Sequence, residues 1–249
     1  MRLPAILAHL SLLLVGLGAL GGGTVTETRA ASEPMPDLTL DHVLVGIADL
    51  DEGIRLLTAL AGVPPARGGR HPGRGTQNAL LSLGERTYLE LIAPVDGSPP
   101  QGPMQQFSQL HQLTPIGWAV GTRHLESTIG RLQAAGVHVA APQPGARVRP
   151  DGRRLQWRTA QLEMASGLKP FLIEWSPTTV HPAKDSPTGC TLESFAIFGP
   201  EADTAGLDRL VTELGAHVSL QHDATPHMRL TLRCPAGLVT IPSAERHPA

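Results

Sequence analysis

The strongest constraint on the fold is a pattern that occurs twice at one spacing. Gly46 and Gly121 are 75 residues apart, and Ile54 and Ile129 are separated by the same 75 residues. In each copy a short apolar strand precedes a helical segment, whose apolar residues recur three or four positions apart. One copy cannot bury its apolar face alone, so the repeat predicts that the copies share a core.

Both copies continue from the helix into further strands. In the first copy, Asp49 can cap the helix and Gly62 can end it. Strands are then expected over residues 79–83 and 87–92 in the first copy, and over residues 155–160 and 171–175 in the second. A shorter third copy begins at Thr191. This order of elements predicts an α+β fold.

Composition and charge exclude one class of partner. The 249 residues are 41% hydrophobic, which is enough for the core of a globular protein. The formal net charge is -2 and the 11 histidines are scattered along the chain. Because a basic patch is needed to bind phosphate backbones, we expect no nucleic-acid partner.

The N-terminus is typical of an export signal. Arg2 precedes an apolar stretch over residues 5–20, and Thr28-Arg29-Ala30 resembles a signal-peptidase site. We predict a signal peptide over residues 1–31, a linker over 32–37, and a secreted or periplasmic protein. Two alternatives stay open: an uncleaved segment would anchor the chain in a membrane, and a misassigned start would leave the protein in the cytoplasm.

The cysteine content allows two interpretations. Cys190 and Cys234 are the two cysteines of the sequence, and both lie in its last quarter. In an exported chain such a pair forms a disulfide bond or remains as two buried thiols. Neither lies beside a histidine or a second cysteine at metal-ligand spacing, so we expect no catalytic thiol.

Two carboxylates and a histidine interrupt strands that are otherwise apolar. Glu90 lies in the run YLELIAP, Glu174 in FLIEWSP and His42 in LDHVLVG. An ionised group in an apolar strand needs a proton, a partner or a metal, so these side chains indicate a metal centre or an acid–base pocket. The structural alternatives are a hydrogen-bonded core histidine and a salt bridge from Glu90 to Arg70 or Arg86.

These motifs, in this order, resemble a known superfamily. The histidine of the first strand, the runs YLELIAP and PFLIEWSP, and the Gly-rich run over residues 68–78 are similar to the glyoxalase/bleomycin resistance/extradiol dioxygenase (vicinal oxygen chelate) superfamily, in its glyoxalase-like subgroup. The resemblance extends from Leu38 to Ile241. It implies repeated βαβββ-type units that form curved mixed sheets around a pocket.

The resemblance also implies a domain organisation. A glyoxalase-like domain over residues 38–185 would contain two units, 38–114 and 115–185. A third, truncated unit over 186–242 would pack on the same domain, and residues 243–249 would form a tail. A homodimer is compatible with this organisation, although two units in one chain can close a pocket alone.

Carried over to this chain, the resemblance implies metal ligands on the strands of both units. His42, Glu90 and Glu174 are the candidates. The position of a fourth ligand holds Gly117 or, after a shift of one residue, Trp118, and neither side chain binds a metal. Three such ligands would suit Fe, Mn, Zn or Ni. In this hypothesis the metal polarises the substrate, and Glu90 or Glu174 acts as the catalytic base.

The Gly-rich run is expected at the mouth of the pocket. Its cationic and amide side chains suit an anionic or polyoxygenated ligand, and a flexible hairpin connection is the alternative. The candidate substrate-binding residues are Arg70, His71, Thr76, Asn78, Trp118 and Trp175.

Two functions follow from the resemblance. The first is a divalent-metal-dependent lyase, isomerase or dioxygenase that acts on a small oxygen-rich substrate. The second is a binding protein of the same fold, which sequesters a small molecule without turnover, as in the resistance-type branch. A metal held at His42 would favour catalysis, and an apolar cavity faced by Trp118 and Trp175 would favour binding.

Overall fold

Two βαβββ units form one strongly curved sheet. The computed structural model describes residues 38–242 except residues 72, 96–106, 108, 165 and 205. The predicted signal peptide, linker and tail lie outside the described residues. The first unit contains β1 (Thr39–Gly46), α1 (Leu50–Ala61), β2 (Ala66–His71), β3 (Thr76–Ser82) and β4 (Tyr88–Pro94). The second contains β5 (Thr114–Gly121), α2 (Leu125–Ala134), β6 (Gln143–Val148), β7 (Arg154–Gln161) and β8 (Phe171–Trp175).

The strand order relates the two units by an approximate twofold axis between β1 and β5. The eight strands follow the order β2-β3-β4-β1-β5-β8-β7-β6, with β1 and β5 antiparallel at the centre. Within the units, β1 is parallel to β4 and β5 is parallel to β8. Gly46 pairs with Ile92 in the first unit, and Gly121 pairs with Ile173 in the second. The predicted α+β fold with curved mixed sheets is confirmed.

The two edge strands of this sheet approach each other and nearly close it. β2 and β6 are in contact, and the guanidinium of Arg147 on β6 donates a hydrogen bond to the carbonyl oxygen of Gly68 on β2. Neither strand was predicted from the sequence. Short polar strands with several glycines give little hydrophobic alternation, so their pairing depends on the sheet around them.

The first helix follows its sequence signals closely. Asp49 accepts a hydrogen bond from the backbone N–H of Glu52 at 2.8 Å and caps the N-terminus of α1. Gly62 ends the helix in the left-handed region with φ of 74°, as the C-cap position requires. Leu50, Leu57 and Ala61 are buried against the sheet. The predicted cap, stop and apolar face are confirmed.

A second, smaller sheet follows the two units. It contains β9 (Thr191–Gly199), β10 (Val218–His222), β11 (His227–Cys234) and β12 (Gly237–Pro242) in the order β10-β9-β11-β12. Three short helices belong to this part of the chain: α3 (Pro182–Asp185), α4 (Glu201–Thr204) and α5 (Asp208–Glu213). β9 pairs in parallel with β10, the next strand along the chain. In the two βαβββ units, by contrast, the first strand pairs in parallel with the last one, β1 with β4 and β5 with β8. The third copy therefore has its own topology.

The two sheets share a core. Trp118 on β5 is fully buried, and its ring contacts Phe195 on β9 edge to face at a centroid separation of 5.7 Å. The indole N–H donates a hydrogen bond of 2.7 Å to the carbonyl oxygen of Leu168. In the part of the chain that the structure describes, no helix is long and apolar enough to cross a membrane.

Cys190 and Cys234 form a disulfide bond across the second sheet. The bond joins the residue before β9 to the end of β11, and the linked residues are 44 positions apart. Of the two interpretations that the sequence allowed, the structure has the disulfide. A cross-link over this loop restricts the unfolded chain and therefore stabilises the folded one.

We expect the double variant Cys190→Ser, Cys234→Ser to lose about 4 kcal/mol of unfolding free energy, as loop-closure entropy predicts for a loop of this length. Urea unfolding followed by circular dichroism measures the loss. The wild-type protein in excess reductant serves as the control and should show the same loss. A transition midpoint that does not change on reduction would contradict the disulfide.

Candidate functional site

An irregularity in β1 places two neighbouring polar side chains in the interior. The pairing of β1 with β5 shifts between Leu40 and His42, so Asp41 is the extra residue of a β-bulge. Regular alternation would send Asp41 and His42 to opposite faces of the sheet, yet both are 2% exposed. Gly121 on β5 makes room for the bulge, because a Cβ there would lie 2.9 Å from Asp41 Oδ2.

Asp41 receives hydrogen bonds from three side chains. Its Oδ1 lies 2.7 Å from His42 Nδ1, and its Oδ2 lies 3.0 Å from both Trp175 Nε1 and His181 Nε2. Burial alone would raise the pKa of Asp41, but the hydrogen bonds from His181 and His42 and the electrostatic attraction of the two rings lower it to about 2. Asp41 is therefore ionised at neutral pH, and each of its partners is a donor.

This network fixes the protons of both histidines. The backbone N–H of Ala183 donates to His181 Nδ1 at 3.2 Å, so the His181 proton must be on Nε2, where it faces Asp41. His42 likewise donates from Nδ1 to Asp41. Its other nitrogen, Nε2, points toward Glu90, with 3.4 Å between Nε2 and Oε2. A carboxylate behind an imidazole in this way orients the ring for acid–base chemistry.

Glu90 is buried between two histidines and an amide. Its Oε1 accepts a hydrogen bond of 2.6 Å from Asn78 Nδ2 and lies 3.5 Å from His71 Nε2. The side chain of His42 faces the other oxygen. Burial acts to raise the pKa of Glu90, but the electrostatic attraction of His71 and His42, the Asn78 hydrogen bond and Arg147 together lower it. Glu90 is thus an ionised carboxylate that is buried among polar side chains.

His71 completes this group from the end of β2. Its Nδ1 lies 2.9 Å from the hydroxyl oxygen of Thr76, across the hairpin that joins β2 to β3. Burial lowers the pKa of His71 and outweighs the attraction of Glu90. The neutral imidazole is consequently favoured, and Nε2 faces the carboxylate as a potential proton donor or acceptor.

These groups line a cavity of about 230 Å³ on the concave side of the sheet. Tyr88 stacks on the His42 ring with 4.7 Å between centroids, and burial raises the pKa of Tyr88 well above its ordinary value. Trp157 and Trp175 also line the cavity, and their rings contact each other at a centroid separation of 5.4 Å. Two cations, Arg74 and Arg147, also line the cavity, and Arg147 is 3% exposed.

The structure brings together most of the predicted site residues. His42, His71, Thr76, Glu90 and Trp175 line the cavity, and Asn78 contacts Glu90 directly. Two further predicted binding residues, Arg70 and Trp118, do not line this cavity. Arg70 is exposed on β2, one position before His71 and therefore on the other face of the strand. Trp118 is in the core between the two sheets, where its indole N–H is already bonded.

The structure places Glu174, which was predicted as a metal ligand and base, outside this group of residues. On β8, Phe171, Ile173 and Trp175 line the cavity, so alternation sends Glu174 to the other face. There its Oε1 accepts a hydrogen bond of 3.1 Å from the backbone N–H of Leu125, the first residue of α2, and its Oε2 is ion-paired with Arg158. The half-buried carboxylate in FLIEWSP is thus explained by a helix N-terminus and an arginine.

The described residues do not fit the metal centre of His42, Glu90 and Glu174 that was predicted from the resemblance. The positions related by the twofold axis to His42 and Glu90 are Gly117, 75 residues later, and Phe171, which precedes Ile173 as Glu90 precedes Ile92. Neither carries a donor for a metal. Within the described ranges of the chain, no three His, Cys, Asp or Glu side chains are grouped so that they could hold a metal ion. No reaction step is therefore assigned to a metal.

Four contributors to the site were missed at the sequence level. Asp41 was hidden because strand alternation places it on the wrong face, and only the bulge turns it inward. Tyr88 was predicted only as part of an apolar strand, and the sequence predicted no role for Arg147 or His181.

Comparison with known proteins places the chain in a family. The sequence model described as "Glyoxalase-like domain" matches residues 40–211, which contain both βαβββ units. The chain belongs to the glyoxalase-like domain family. The resemblance to the vicinal oxygen chelate superfamily is therefore confirmed. No curated protein matches this glyoxalase-like chain.

Several solved structures are similar to the glyoxalase-like chain. A hypothetical protein from Staphylococcus aureus is 16% identical, with a TM-score of 0.56 over 84% of this chain and 87% of that one. Methylmalonyl-CoA epimerase from Mycobacterium tuberculosis is 25% identical, with a TM-score of 0.43 over 56% of this chain and 89% of that one. A hypothetical protein from Bacillus halodurans C-125 is 21% identical, with a TM-score of 0.46 over 57% and 98%. The likeness to the Staphylococcus aureus protein shows that the two chains share a fold.

The lowered pKa of Asp41 predicts how stability depends on pH. Because the folded-state pKa is about 2 against an ordinary 3.8, the ionised carboxylate stabilises the fold above about pH 4, and this stabilisation is lost as the pH falls toward 2. The advantage of wild type over Asp41→Asn in unfolding free energy should shrink by about 2 kcal/mol from about pH 5 to about pH 2.

Urea unfolding at a series of pH values measures this difference. The exposed Asp208→Asn variant is the control, because its side chain takes part in no such network in the described residues. A difference between wild type and Asp41→Asn that is constant across this range would contradict the assigned network.

Proposed function

We propose that this glyoxalase-like protein binds a small molecule carrying a carboxylate and moves a proton on it, with Glu90 as the base. The observation that carries the proposal is the position of Glu90. It is ionised and buried, Asn78 holds its Oε1 at 2.6 Å, and His42 and His71 lie on either side. A fixed carboxylate in a low-dielectric cavity is a common general base.

The cations of the cavity support an anionic substrate. Arg147 is buried, and the planar guanidinium group suits a carboxylate or a developing oxyanion. Arg74 lines the same cavity. An anion bound there would repel the charge of Glu90 and raise its pKa from the lowered value, which would make Glu90 a stronger base when substrate is present.

The proposed step is proton abstraction from a carbon next to a carbonyl. Glu90 takes the proton, and the electron pair of the broken C–H bond moves onto the carbonyl oxygen, where the charge of Arg147 stabilises it. The proton returns from Glu90 to the same or to a neighbouring carbon, either directly or after it has passed to Nε2 of His42, whose ring Asp41 orients. The net result is an exchange, an epimerisation or an isomerisation.

Deuterium exchange tests this proposal directly. The full chain is incubated in D₂O with pyruvate, 2-oxobutanoate and levulinate, and the loss of C–H signal is followed by proton NMR. We expect enzyme-dependent exchange in at least one of these acids and a reduction of about 10² to 10⁴-fold in Glu90→Gln, the range found for loss of a general base. The matched control is Glu174→Gln, which should keep the exchange rate because its carboxylate faces α2.

Each outcome has a distinct meaning. Binding of an acid, seen as a change in the fluorescence of Trp157 and Trp175, without any exchange would favour the sequestering protein over the enzyme. Exchange that survives in Glu90→Gln, or that is lost in Glu174→Gln alone, would contradict the assignment of the base.

A further inference from the structure

A second cavity adjoins the one that holds Glu90. It has a volume of about 260 Å³ and shares Leu44 and Phe171 with the first cavity as lining residues. Its other lining residues are Phe107, Leu110, Ile116, Gly117, Trp118 and Lys169. The two cavities therefore lie side by side on the concave face, one lined by histidines and cations and the other by aliphatic and aromatic carbon.

Among the described residues that line the second cavity, Lys169 is the charged one, and its ammonium group has a partner in the backbone. The ammonium group of Lys169 donates a hydrogen bond of 2.5 Å to the backbone carbonyl oxygen of Met164. Leu44, Leu110 and Ile116 supply aliphatic walls, and Phe171 supplies a ring. This environment suits a hydrocarbon group and offers little to a polar one.

The approximate twofold axis explains why this space exists. Gly117 occupies the position related to His42, and Phe171 occupies the position related to Glu90. A Cβ built at Gly117 would have one neighbour within 4 Å, Leu44 Cδ1 at 3.8 Å, so the missing side chain leaves open room. The first unit thus has the imidazole of His42 and the carboxylate of Glu90 at these positions, whereas the second has a glycine without a side chain and the phenyl ring of Phe171.

We infer that the second cavity binds the apolar tail of the substrate, so that the ligand is a carboxylic acid with a hydrocarbon chain. This inference rests on the proposed function for the position of the head group near Arg147 and Glu90. The tail extends past Leu44 and Phe171 into the space beside Gly117. The two units of the fold thus have divided roles, proton transfer in the first and tail binding in the second.

A series of straight-chain acids tests the inference. Butanoate, hexanoate and octanoate are titrated into the full-length protein, and binding is followed by tryptophan fluorescence and isothermal titration calorimetry. We expect affinity to rise about fourfold for each added methylene until the cavity is filled, as burial of a CH₂ group predicts. In Gly117→Leu this gain should be lost for octanoate, while butanoate binds as in wild type.

The matched control is Gly130→Leu on α2, which has open space around it and lies outside both cavities. It should keep the full dependence on chain length. Thermal unfolding shows whether both variants are folded. If they are, loss of the chain-length dependence of affinity can be attributed to the filled cavity. If Gly117→Leu does not fold, Ile116→Trp serves as the second blocking variant.

The neutral analogue 1-octanol separates failure of this inference from failure of the proposed function. If 1-octanol binds as well as octanoate and Gly117→Leu weakens both, the tail cavity stands and the carboxylate head group is wrong. If affinity does not rise from butanoate to octanoate in wild type, or if Gly117→Leu keeps the full rise, the tail cavity is overturned.

Discussion

The arrangement of the whole site depends on the carboxylate of Asp41. It accepts hydrogen bonds from His42 on β1, Trp175 on β8 and His181 just before α3, so it connects three separate segments of the chain. A bulge in the central strand makes these contacts possible, and Gly121 opposite leaves the space that the bulge needs. Without this anion, neither the ring of His42 nor the indole of Trp175 would have a fixed orientation at the cavity wall.

The two units of the curved sheet share a backbone plan and differ in chemistry. The first unit contributes His42 and Glu90, whereas the related positions of the second are Gly117 and Phe171. Closure of the sheet by Arg147 then brings a cation from the second unit over the polar residues of the first. This difference between the related positions is the basis of the proposal that the chain transfers a proton on a bound acid.

The sequence predicted the fold better than the site, for physical reasons. Apolar periodicity and the repeated glycines defined the units, because Gly46 and Gly121 each lie where a Cβ would meet another side chain within 3 Å. The same patterns did not predict the position of Glu174. A carboxylate in an apolar strand can accept a hydrogen bond from a helix N-terminus instead of lining a cavity. Asp41 and Arg147 depend on a bulge and on sheet closure, which arise from tertiary pairing and leave no local pattern.

Metal content is the most direct test of this asymmetric site. The full chain is purified without chelators or affinity metals, incubated with Fe, Mn, Zn or Ni, desalted and analysed for metal beside His42→Ala and Glu90→Gln. With Gly117 and Phe171 in place of ligands, we predict substoichiometric metal that does not differ among the three proteins. One metal ion per chain in wild type, lost in both variants, would contradict the account and restore a metal centre at His42 and Glu90.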